Sequence, residues 1–184
     1  MRRFFIAFLF FVGTLSGVCA FTVVDGDGAG LAGAVSLQID FSETTVEGIS
    51  LDEYLEAIGE SDDFEYETRK YYADFIKRFN GRCGQLMLTH LAGKPITLTV
   101  KVEFVVRKGN DAICSYVFTE TESGRVLLSV SERTREGRVG SFTNLVGDVI
   151  REAGGDFGSF MSRFLKKQSN NNKNKKQKDP IYDI

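Results

Sequence analysis

The sequence predicts an α+β fold of two layers, with helices packed on one face of a mixed, mostly antiparallel sheet of about five to six strands. Three observations carry that expectation. Residues 96–130 alternate apolar and polar side chains through three runs joined by short polar turns, the period of strands with one wet face. Residues 61–80 and 141–167 instead repeat their apolar side chains at helical spacing. Hydrophobic content of 42% and charged content of 26% suit an ordinary globular chain. The expected organisation is an export signal over residues 1–20, a single domain over 21–167 and a disordered Lys/Asn-rich tail over 168–184.

Arg2 and Arg3, the apolar run 4–12 and the small residues Val18-Cys19-Ala20 make the three parts of a secretory signal. The run is too short for a comfortable membrane span. The expected destination is therefore the periplasm or the exterior. Leu15-Ser16-Gly17-Val18 before Cys19 faintly resembles a lipoprotein box, although Val18 stands where a small residue is usual. Lipid anchoring at Cys19 is the minor alternative to free export.

Charge is unevenly placed. Residues 21–165 hold 15 basic and 23 acidic side chains, and residues 166–184 hold six Lys against two Asp. Ten acids and no base lie between Glu43 and Glu67. An acidic body repels phosphate backbones, so nucleic acid is not an expected partner. The tail lysines suit weak contact with anionic envelope components.

Residues 21–25 open the fold as a short strand. The stretch 25–33, DGDGAGLAG, fits G-x-G-x-x-G at Gly28, Gly30 and Gly33, but residues 34–41 alternate like a strand where that motif needs a helix. A calcium loop starting at Asp25 and Asp27 fails at Ala29 and Ser36. A glycine-rich turn between strands remains. Ser50 and Glu53 then form a capping box, with Leu51, Tyr54, Leu55 and Ile58 at helical spacing up to Gly59. Ser61 with Asp62 and Asp63 starts the next helix, whose stripe of Phe64, Tyr71, Tyr72, Phe75, Ile76 and Phe79 reads as core facing a sheet. Residues 85–90 make a strand ending at His90, the only histidine, for which no nucleophile partner is assignable. Ile96, Leu98, Val100, Val102, Phe104 and Val106 are expected on one face of the next strand. Ala112, Cys114, Tyr116 and Phe118, then Val126, Leu128 and Val130, continue that face through two hairpin turns.

Ser141 is the expected N-cap of a last helix. Gly140, Gly147, Gly154 and Gly158 fall along one flank of its apolar stripe. Each helical glycine costs about 1 kcal/mol against alanine, so several together imply a close approach. A kink, or a tight fit over the chain's own sheet, is the favoured explanation. The alternative is a helix–helix contact between subunits, which makes Gly147, Gly154 and Gly158 a candidate contact flank. Asp148, Arg151, Glu152 and Asp156 forbid a membrane span there.

Two cysteines remain beyond the signal. In an exported chain Cys83 and Cys114 are a candidate disulfide; the other reading is two buried thiols acting as small hydrophobes. Two Cys and one His without zinc spacings predict no metal site, and no cofactor is expected.

The run 35–59, VSLQIDFSETTVEGISLDEYLEAIG, the aromatic helix closing on RFN and the long alternating strands are together similar to a group of uncharacterised exported bacterial proteins. The strand, KG turn, strand, ESG turn, strand and final helix also resemble small periplasmic modules, those of the curli-secretion channel lipoprotein and of penicillin-binding-protein activators. Both resemblances imply an α+β adaptor domain of the envelope, and neither supplies a functional residue. The expected function is a non-enzymatic binding or assembly module, with an unknown envelope protein or a second copy as partner. A carboxylate hydrolase of envelope glycans and a carrier of lipids or small apolar ligands are the alternatives.

Overall fold

Eight strands join in one mixed sheet in the computed structural model, which describes residues 21–135 and 139–176. In chain order they are β1 (Thr22–Asp25), β2 (Gly33–Asp40), β3 (Thr45–Val46), β4 (Ile49–Ser50), β5 (Leu86–Thr89), β6 (Ile96–Val105), β7 (Asp111–Glu120) and β8 (Val126–Arg135). Helices α1 (Leu51–Ile58) and α2 (Ser61–Asn80) lie between β4 and β5, and α3 (Phe142–Lys176) follows β8. The spatial order is β1-β8-β7-β6-β2-β5, with the small β3–β4 hairpin joined to the far end of β6. Hairpin turns make β6, β7 and β8 antiparallel, while β2 runs parallel to both β5 and β6. The α+β expectation holds, with β3 and β4 added to it. The export signal with Cys19, and residues 177–184, lie outside the described residues.

Local chemistry sets the boundaries. The Ser50 hydroxyl accepts from the Glu53 amide at 3.3 Å and donates to its carboxylate at 3.0 Å, and Gly59 closes α1 in the left-handed region. In the turn after β1, Gly26 has φ 76°, and a Cβ there would lie 2.3 Å from the Leu127 carbonyl oxygen. That turn needs glycine because the backbones nearly touch.

Two register shifts correct the expected strand faces. Between Val102 and Phe104 the β6–β7 register slips, so Val105 enters the core and Phe104 sits half-buried on the open face. A second slip near Phe118 leaves Val126 exposed while Leu127 is buried. Alternation in sequence carries no mark of a bulge, because the extra residue is an ordinary one.

The core lies between the sheet and the α2–α3 pair. Phe157 stacks on Tyr116 with centroids 3.9 Å apart and meets Phe79 and Phe118 at 5.8 and 5.9 Å. Fully burying such rings contributes about 2–3 kcal/mol each. Helix α3 continues to Lys176, past the boundary at Lys167 that composition suggested.

Candidate functional site

Helices α2 and α3 run parallel, and glycine decides how closely. Tyr71 meets Gly147, Phe75 meets Gly154 and Phe79 meets Gly158, in the same order along both helices. A Cβ at Gly154 would lie 2.7 Å from the Phe75 carbonyl oxygen, and one at Gly158 would lie 2.8 Å from that of Phe79. The flank therefore holds neither the sheet nor a second subunit: the close neighbour is α2 of the same chain. The physical reason for the glycines was legible, but the partner needed the topology.

Cys83 and Cys114 are both buried free thiols, which corrects the candidate disulfide. Cys114 sits in β7, whereas Cys83 lies just before β5, with β6 and β2 between those strands. Three strand spacings are about 14 Å, about twice what a bridge can span. Burial, reinforced by the nearby Glu132 and Glu103 carboxylates, pushes the Cys114 thiol far above its usual range. It stays protonated and inert.

The buried ionisable groups are tied into the fold. The Tyr116 hydroxyl donates to Glu132 at 2.6 Å inside the core, and burial holds Tyr116 protonated. Asp111, almost fully buried, accepts two hydrogen bonds from Arg133 at 2.8 and 2.9 Å and one from Arg135 at 2.8 Å. The Glu60 carboxylate accepts from the Thr143 amide at 2.8 Å and so caps α3. His90 is exposed beyond the end of β5. Among the described residues no group of three metal-ligating side chains converges, and no helix is long and apolar enough to cross a membrane.

Both sheet edges are guarded. Asn80, the last residue of α2, donates to the Leu88 carbonyl at 2.9 Å and accepts from the Leu88 amide at 2.8 Å on the outermost strand. Where β5 ends and leaves β2 uncovered, the Tyr72 hydroxyl does the same for Ile39, at 3.0 and 2.9 Å. At the opposite edge β1 is short and bulged between Val23 and Asp25. These are devices that discourage an added strand.

What remains is surface charge. Asp52, Glu56, Asp62, Asp63 and Glu65 are exposed around the starts of α1 and α2, and no ion pair takes them among the described residues. Asp52, Glu56 and Glu65 line a groove of about 510 Å³ between the two helices. Lys77, Arg82, Arg163, Lys166 and Lys167 are exposed and likewise unpaired, where α2 ends beside the second half of α3. Lys77, Arg78, Arg82 and Arg151 line a groove of about 420 Å³ there, with Asp74 as its one acid. Arg78 and Arg151 are already paired with Glu152 and Asp148. The acidic half is visible as a run in the sequence. The basic half is not, since it assembles from residues about 80 apart once two helices lie parallel.

No family model matches the chain. No curated protein matches it either. Among solved structures, a PelC dodecamer from Paraburkholderia phytofirmans is 9% identical, with a TM-score of 0.38 over 77% of this chain and 99% of that one. Protein XCC0632 from Xanthomonas campestris, of the DUF330 family, is 7% identical, with a TM-score of 0.37 over 76% and 88%. Likeness this distant assigns no activity or partner to this chain.

Proposed function

We propose that this chain is a non-enzymatic binding or assembly module of the bacterial cell envelope, reached by export. The observation that supports the reading is the pair of opposed, exposed and unpaired charge patches, each beside its own groove. Charge held in this way costs self-repulsion and adds little to the fold, yet it steers and orients a partner. The glycine flank is filled by α2 and each sheet edge is capped or bulged, while the open face of the β6–β8 meander stays uncovered. The hydrolase reading rests on Asp52, Glu56 and Glu65, which share a groove but stand exposed on helix surfaces. The aromatic stripe of α2, the basis of a carrier reading, is packed into the core, where Phe75 and Phe79 are fully buried.

Crosslinking in the intact envelope, followed by recovery of the chain, tests the proposal. A crosslinked species present for the native protein and absent for the triple variant Asp62→Lys, Asp63→Lys, Glu65→Lys is the expected result. Equal yield from both proteins would remove the charge patches as the binding surface. Release of sugars from envelope glycans by the purified protein would overturn the non-enzymatic reading.

A further inference from the structure

We propose that the acidic end of the helix layer docks on the basic end of a second copy of this chain, head to tail. The inference rests on the binding-module reading and names its partner.

The two patches are opposite in sign. Asp52, Glu56, Asp62, Asp63 and Glu65 face outward at one end of the layer, and Lys77, Arg82, Arg163, Lys166 and Lys167 face outward at the other. Glu65 and Lys77 stand twelve positions apart on α2, so the nearest members of the two patches lie about 18 Å apart along it. That is more than two screening lengths at physiological salt, too far for the patches to neutralise each other within one molecule. Each patch repels itself and is relieved by its opposite on a neighbouring copy.

Helix dipoles explain only part of this arrangement. They favour acids in a first turn and bases in a last turn, and the effect fades beyond those turns. Glu56 and Glu65 stand past the first turns of α1 and α2, and Arg163, Lys166 and Lys167 precede the end of α3 by two turns or more. Tyr66 adds a second kind of recognition. It is 72% exposed within the acidic end, where a guanidinium of the next copy, from Arg82 or Arg163, can lie over its ring. Because the two surfaces differ, the contact is heterologous and builds rings or open chains rather than a two-fold dimer.

Sedimentation velocity on the purified protein tests this at low salt, about 20 mM, and high salt, about 500 mM, where screening lengths differ several-fold. The expected result is a mass that rises with concentration at low salt and returns to the monomer at high salt. The acid-reversed variant D62K/D63K/E65K and the base-reversed variant K77E/R82E/R163E should each lose self-association by about tenfold or more. An equimolar mixture of the two should regain it, because the acid-reversed copy keeps a basic end and the base-reversed copy keeps an acidic one. All six positions are exposed, and regained association in the mixture would itself show that both variants fold. A native protein that stays monomeric at low salt and high concentration overturns the inference. Association that ignores both reversals also overturns it, placing the self-contact elsewhere. A strict monomer that still gives a patch-dependent crosslink to another protein would sink this inference and leave the binding-module reading standing.

Discussion

Asn80 and Tyr72 show how much one side chain can settle. A carboxamide has a donor and an acceptor, and at Leu88 it replaces the two hydrogen bonds a neighbouring strand would make. The single hydroxyl of Tyr72 serves Ile39 in both senses. Removing the Asn80 pair leaves an amide and a carbonyl unpaired at the margin of the core, which costs about 1–3 kcal/mol. Asn80→Ala should therefore lower stability by that amount, accelerate amide exchange at Leu88 and promote pairing of β5 between molecules. Adding Met87→Lys, a charge on the same exposed strand, should suppress that pairing at high salt without restoring stability. If at high salt the single variant stays monomeric with native exchange at Leu88, Asn80 is no edge seal. None of this was legible in the sequence, where Asn80-Gly81 reads as a helix end and nothing more. The capping box at Ser50 and Glu53 was legible, because its partners are three residues apart.

At the level of elements, the long helix carries the sharpest contrast. Its glycines are not equivalent, and spacing already sets Gly155 off the flank that holds Gly154 and Gly158. Gly154 and Gly158 face the backbone of α2 within 2.7 and 2.8 Å of a would-be Cβ, whereas Gly155 has only the Arg78 Cβ at 3.9 Å. Alanine at Gly154 or Gly158 gains about 1 kcal/mol of helix propensity. It then loses more by forcing α2 and α3 apart, since overpacking against backbone costs about 1–3 kcal/mol. Gly155→Ala should keep the propensity gain. Denaturant titration should thus show Gly154→Ala and Gly158→Ala destabilised by up to about 2 kcal/mol net and Gly155→Ala stabilised by up to about 1 kcal/mol. A shared sign for all three would mean that close approach is not what the glycines provide. Periodicity predicted this helix and its buried stripe well, because both are properties of one segment. The identity of the element across the flank depends on how β5 to β8 order themselves. The bulges that turn Phe104 and Val126 out of the core are equally properties of two strands together.

For the whole molecule, the burial of titratable groups sets an alkaline limit. Tyr116, Cys114 and Tyr71 lie within the sheet–helix core, Tyr71 with its hydroxyl donating to the Thr143 carbonyl at 2.6 Å. Burial raises all three above their ordinary values, which are 10.0 for Tyr71, 9.0 for Cys114 and 10.0 for Tyr116. The folded state keeps its protons while the unfolded chain releases them, so the unfolded state binds fewer protons as pH rises and stability must fall. The stabilisation is complete below about pH 9, begins to drop as the unfolded thiol ionises and drops faster past about pH 10. Each fully buried group then contributes about 1.4 kcal/mol per pH unit, so Tyr116 and Cys114 together give roughly 3 kcal/mol per unit, with a smaller share from Tyr71. Replacing Tyr116 with Phe separates this effect from packing. At neutral pH the variant should be less stable by about 1–3 kcal/mol, because Glu132 loses a donor at 2.6 Å inside the core. Above about pH 10 its stability should fall less steeply than that of the native protein, so the two curves converge. Unfolding free energies measured from about pH 7 to 11 decide the matter, and parallel curves would mean that the Tyr116 hydroxyl ionises freely in the folded protein.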